Sequence, residues 1–275
     1  MSKVELNGEL RDKVSCIYRK DKNKIERLAD RCNANGFSCL AGQGDLVRLA
    51  VCLRYAEKYT LPMYRSKGIP MSVFCDTMAD IDIWCGNNHN RGLRNYNWIK
   101  NHLDCTLFKL GRLQFQLYTA CSKLLDYDHL PYNYGDNVLN IHIPQGEPLD
   151  YSACVDSINR AKEFFAQYFP DFGYRFMLCE SWLLFEDNYM FMEPGSNILQ
   201  FQSLFEIVFS AQQDFQAVER IFGKRRLLKS KYPTDTSLRR NALEYMKSGH
   251  KMGMGIGIID TVDEKEEIAK HDIKA

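Results

Sequence analysis

Residues 138–165 read VLNIHIPQGEPLDYSACVDSINRAKEFF, and this stretch decides the fold. Leu139, Ile141 and Ile143 alternate with Asn140 and His142, the period-two signature of a strand with one buried and one polar face. Pro144 ends it, because proline has no N–H to give to a ladder. Gln145-Gly146-Glu147-Pro148-Leu149 forms a turn. Asp150 or Ser152 then caps a helix along which Val155, Ile158, Ala161 and Phe165 recur at helical spacing. A strand passing through a Gly-containing turn into a helix N-terminus aims unpaired N–H groups into a crevice, which suits an anion. His142 points to the same mouth.

Downstream, residues 175–182 (RFMLCESW) form a second strand, and the strand–helix–strand order favours parallel pairing with a right-handed crossover. Ser181 begins SWLL and caps the helix predicted to follow it. Ser196 or Asn197 starts another short helix after Pro194-Gly195. Residues 205–210 suit a further strand, 224–231 (KRRLLKSK) are a basic surface run, and 237–248 are amphipathic. The segment GHKMGMGIGIID from Gly249 reads as flexible. Its glycines resemble a phosphate loop only superficially, since no predicted strand leads into them.

Upstream, LFKLGRLQFQLY (107–118) alternates well enough for one long strand, with Leu113, Phe115 and Leu117 opposite Arg112, Gln114 and Gln116. Solvent exposure or the lining of an acceptor cleft would each explain Arg112 and Gln114. Residues 1–105 read as helical: 22–34, then 44–59 with Pro62 interrupting or following, then 70–86, then 94–103. The period changes near Cys105. We therefore expect a helical domain over 1–105 and a second domain over 106–275.

At 275 residues the chain can bury one large or two ordinary cores. A net charge of +1 gives no general attraction to nucleic acid or to an anionic membrane. The first residues are polar and lack the apolar centre of a signal peptide, and no apolar run approaches the ~20 residues a bilayer span needs, so a cytoplasmic location is expected. Ten cysteines include no C-x-x-C pair. Metal knuckles need such close pairs, so reduced, buried thiols and no metal are expected.

Five segments together carry a resemblance: WIKNHL (98–103), LFKLGRLQFQL (107–117), LNIHIPQGEPLD (139–150), CESWLL (179–184) and PGSNILQFQ (194–202). The chain resembles a bacterial group of acyltransferase-domain proteins, with a helical N-acyltransferase N-terminal domain and a GNAT-like C-terminal domain. The resemblance covers roughly 90–255. It implies an α/β fold: a helical N-terminal domain and a mixed sheet with flanking helices whose two middle strands splay apart. Here those strands would be 137–143 and 175–182. It also implies that an acyl thioester lies in the splay, its pyrophosphate at the following helix N-terminus, with the helical domain roofing the cleft. The family's phosphate loop is R/Q-x-x-G-x-G/A, whereas this chain has QGEPLD.

Acyl transfer from a thioester to an amine needs a base, donors for the tetrahedral oxyanion and a proton for the departing thiolate. His142 is the leading base, since an imidazole titrates near ~6.5; Glu180 is the alternative. Cys179 next to Glu180 invites a thiol nucleophile, although neighbouring positions on a strand face opposite ways. Strand 138–143 would supply the oxyanion donor. Ile143, Gln145, Gly146 and Ser152 are the candidate donor-binding residues, with acyl-CoA as co-substrate and a small-molecule or peptide amine as acceptor. Two rival readings are a non-catalytic ligand-sensing or partner-binding module and a cysteine-dependent acyl hydrolase or transferase.

Overall fold

The computed structural model describes residues 4–121 and 127–262. They form two compact units. The first comprises the chain through Gln116 together with Ile143–Glu147 and Glu163–Pro170. The second comprises Leu117–His142, Pro148–Lys162 and the chain from Asp171.

The first unit is mainly helical. Helix α1 (Gly8–Asn35) is capped by Asn7, whose side chain accepts from Leu10 N, and it kinks at Asp21 (φ −118°). Its buried stripe skips from Val14 to Ile25, so sequence periodicity finds only the second half. Helix α2 (Asp45–Tyr55) continues through a π turn (Ala56–Thr60) into α3 (Leu61–Lys67). Pro62 therefore does not stop the path. It occupies the first turn of α3, where a missing N–H costs little, and the widened turn before it relieves the ring's clash with the preceding carbonyls. Residues 70–86, expected as one helix, are two: α4 (Met71–Met78) and α5 (Asp80–Asn87), hinged at Ala79. Helix α6 spans Tyr96–Leu103.

The expected long strand over 107–118 is a hairpin, β1 (Leu107–Leu110) and β2 (Leu113–Thr119), paired antiparallel from Leu107↔Gln116 to Leu110↔Leu113. Gly111 turns the chain at φ +76°, a conformation that an alternation count cannot detect. Phe108 centres an aromatic cluster, with ring centroids 5.0 Å from Phe164, 6.0 Å from Phe165 and 5.2 Å from Phe169.

In the second unit, which takes β2 from Leu117 on, the strands run across the sheet in the order β2, β3 (Asn137–His142), β4 (Phe176–Ser181), β6 (Met254–Asp260) and β5 (Glu206–Ala211). Helix α7 (Tyr151–Tyr168) leads from β3 toward β4, and β3 and β4 pair in parallel, as the strand–helix–strand order favours. After β4 come two short 3₁₀ turns, Trp182–Leu184 and Glu186–Met190, in place of the helix expected at SWLL. Ser181 caps the first and Ser196 caps α8 (Asn197–Gln202). Strand β5 spans Glu206–Ala211. Helices α9 (Asp214–Phe222) and α10 (Ser237–Lys247) bury Val218, Ile221, Leu243 and Met246 in a core with Phe191 and Tyr232.

The largest correction concerns the C-terminal glycine segment. Residues Met254–Asp260 are strand β6, lying between β4 and β5 and antiparallel to both. A Cβ on Gly255 would sit 2.0 Å from Leu184 O, and one on Gly257 2.7 Å from Phe205 Cβ. The glycines are there because other chain crosses that face of the strand. No helix among the described residues is long and apolar enough to cross a membrane.

Candidate active site

In the second unit, the register fixes which side chains share a face. Asn140 lies opposite Leu178, so His142 and Glu180, each two residues on, project from the same face. Lower on that face, Val138, Phe176, Leu178, Ile256 and Ile258 form a buried cluster with Ala120 and Tyr132. Toward the strands' C-terminal ends the character changes: Asn140 and His142 are half-buried and Glu180 is exposed. The ladder spans Leu139↔Met177 and Asn140↔Leu178, whereas β3 runs on to His142 and β4 to Ser181. Two polar, titratable side chains thus project from one face just beyond the last pair of the parallel ladder.

Cys179 belongs to the opposite face. It is fully buried, pairs with Gly257 of β6, and burial pushes its thiol well up, with the Glu180 charge adding to the effect. The fold therefore does not bring Cys179 and His142 together as a nucleophile–base pair. A thiol held protonated and away from solvent is a poor nucleophile.

Asp150 caps α7. Its Oδ1 accepts from Ala153 N at 2.9 Å and from Ser152 Oγ at 2.7 Å, and these bonds hold its carboxyl below the usual range. The Ser152 hydroxyl is thus engaged within its own helical turn, and a carboxylate already stands at the helix N-terminus.

In the first unit, the turn after β3 is tied to the hairpin. Arg112 donates from Nη1 to Pro144 O (3.1 Å) and from Nη2 to Glu147 O (2.9 Å). Lys109 Nζ lies 2.8 Å from Glu147 Oε1, and this bond holds the Glu147 carboxyl below its ordinary value. Asn87 Nδ2 donates to Gln145 Oε1 at 3.0 Å. Gly146 adopts φ +106°, Ile143 is half-buried and Gln145 is exposed.

Both sequence readings of Arg112 and Gln114 need correction. They neither face solvent nor sit in an open cleft: Arg112 is 6% exposed and Gln114 1%. Gln114 joins a buried polar network that the sequence reading missed. Asp80 Oδ2 lies 3.0 Å from His102 Nε2 and accepts from Trp98 Nε1 (2.8 Å) and Trp84 Nε1 (3.1 Å). Gln114 Nε2 lies 3.3 Å from His102 Nε2. Burial pushes the Asp80 carboxyl up, but bonds from His102, Trp98 and Gln114 outweigh it and leave the group below its ordinary value. The only local signal was four-residue spacing, Asp80 to Trp84 and Trp98 to His102, on two helices that nothing in the sequence links.

The chain matches the model of the GNAT-like C-terminal domain over residues 107–259 and that of the N-acyltransferase N-terminal domain over 1–105. It belongs to the GNAT-like C-terminal domain family. Several solved structures share this fold. An acyltransferase in complex with decanoyl-CoA and teicoplanin aligns with a TM-score of 0.75 and 22% identity, over 94% of this chain and 85% of that one. An acyltransferase in complex with CoA and 10C-teicoplanin aligns with a TM-score of 0.72 and 22% identity, over 95% and 90%. An acyltransferase mutant in complex with octanoyl-CoA gives 0.71 and 22%, over 94% and 90%. No curated protein matches the chain.

Proposed function

We propose that this member of the family transfers an acyl group from a thioester donor, acyl-CoA, to an amine on a small-molecule or peptide acceptor. The observation that carries the reading is the placement of His142 and Glu180 on one face where the β3–β4 ladder ends. In the reaction the acceptor amine gives a proton to His142, or to Glu180, as its nitrogen attacks the thioester carbonyl. Backbone N–H groups at the end of strand 138–143 hold the oxyanion that forms. The C–S bond then breaks, the proton taken from the amine passes from the base to the departing sulfur, and CoA leaves as the thiol.

For the donor's polar end we name Ile143, Gln145 and Gly146 of the turn and Ser152 of the first turn of α7 as the candidate residues. The acyl-CoA complexes of proteins sharing the fold support this class of donor. We take 1–105 and 106–275 as the two domains and the cytoplasm as the site of action, in keeping with free thiols at all ten cysteines. The carboxylate of Asp150 at the α7 N-terminus favours a second reading, a module that binds without turnover.

Isothermal titration with CoA and decanoyl-CoA, followed by thiol-release assays with amine acceptors, tests the proposal. Saturable binding and turnover that falls by about 10²-fold or more in His142→Ala or Glu180→Gln support it. Binding without turnover supports the module. No binding up to millimolar ligand removes CoA as donor.

A further inference from the structure

We propose that Lys109 is the phosphate-binding residue of this site and that the Glu147 carboxylate holds its place until a phosphate displaces it. The inference rests on the reading of the 143–147 turn as the donor's polar end. It answers a specific difficulty there: QGEPLD offers one glycine and two acids, and Asp150 already fills the helix N-terminus.

The geometry supplies what those residues lack. Lys109, on β1 of the hairpin, is 18% exposed at its side chain, so its ammonium is held in place beside the turn. Its partner Glu147 is 56% exposed, and its carboxylate is free to swing into water. The Glu147 backbone cannot follow, because the Arg112 fork grips Pro144 O and Glu147 O at once. Next to it, Gly146 is left-handed, and apart from its two chain neighbours no residue comes within 4 Å of where its Cβ would be, which leaves room at the turn. A fixed cation, a clamped backbone and a movable acid make an exchangeable anion site. A phosphate, with more charge and three acceptor oxygens, outcompetes one carboxylate for the ammonium. The displaced carboxylate turns into water, where its charge is screened, and leaves the Lys109 ammonium facing the phosphate.

The test is titration of the full chain with CoA and with a pantetheine thioester, which has no phosphate. Glu147→Gln removes the competitor and tightens CoA binding by about two- to fivefold, the value of an exposed ion pair. Lys109→Gln weakens it by about tenfold or more, whereas Lys109→Arg keeps the charge and binds near the wild-type level. The pantetheine thioester binds all four proteins alike. Melting temperatures confirm that each variant is folded. If Glu147→Gln leaves CoA binding unchanged or weaker, the pair is structural and the inference falls while the acyl-CoA reading stands. If the wild type binds the pantetheine thioester but not CoA, phosphate recognition falls and thioester chemistry remains. If it binds neither, both fall.

Discussion

At the scale of single residues, the chemistry depends on faces. His142 and Glu180 share one, and Cys179 is buried behind the other. The proposed direct transfer to an amine therefore predicts that Cys179→Ser leaves kcat within about twofold, while burying a hydroxyl costs about 1–3 kcal/mol of stability. Steady-state rates with a denaturation curve check both; a loss of activity in a folded variant would restore the thiol nucleophile. Asp80 gives a pH prediction. Its folded-state pKa lies below the ordinary 3.8, so its stabilising contribution is present above that value and is lost as pH falls through the folded one. Removing the charge in Asp80→Asn leaves His102, Trp98 and Trp84 facing an amide. It should cost about 1–3 kcal/mol near neutrality. Urea titrations at several pH values should also show a shallower loss of stability below pH 4 in the variant. His142 was legible because it alternates within a strand. Asp80 and Gln114 were not, because their partners come from other elements.

At the scale of elements, β6 shows how a local rule fails for a nonlocal reason. Three glycines between Gly253 and Gly257 break the apolar alternation, and intrinsic propensity argues for a loop. In the fold they let Leu184, Phe185 and Phe205 approach the strand, with Ile256 and Ile258 buried between its neighbours. Gly255→Ala should therefore lower stability by about 3 kcal/mol or more, since its Cβ would meet backbone that cannot yield. Gly42→Ala, where nothing lies within 4 Å, should change little. Calorimetric melting of the two variants checks the contrast. The hairpin carries a related lesson: Gly111 reverses the chain within a pattern that alternates on both sides of it. Arg112, in the turn just before the return strand, fixes the turn after β3. Arg112→Lys keeps the charge but loses the planar fork, and amide hydrogen exchange at 145–147 should quicken.

At the scale of the whole molecule, the thiols measure packing. Cys16, Cys75 and Cys121 are exposed, Cys39 is intermediate and the other six are buried. A native-state labelling experiment should find three thiols reacting fast and a fourth more slowly, with all ten reacting after denaturation. Rapid modification of more than four would mean that the cores breathe more than the fold implies. Alternation, caps and strand order let the sequence by itself determine a strand–turn–helix over 138–165, a parallel partner strand over 175–182, a cap at Ser181 and another at Ser196 or Asn197, and a family resemblance. These features rest on neighbours a few residues apart. Only the tertiary structure decided that a glycine-rich tail is an inner strand, that Arg112 and Gln114 are buried and bonded, and that Lys109 meets Glu147 across the turn. Each depends on groups brought together from distant parts of the chain, where burial and hydrogen bonding outweigh local preference.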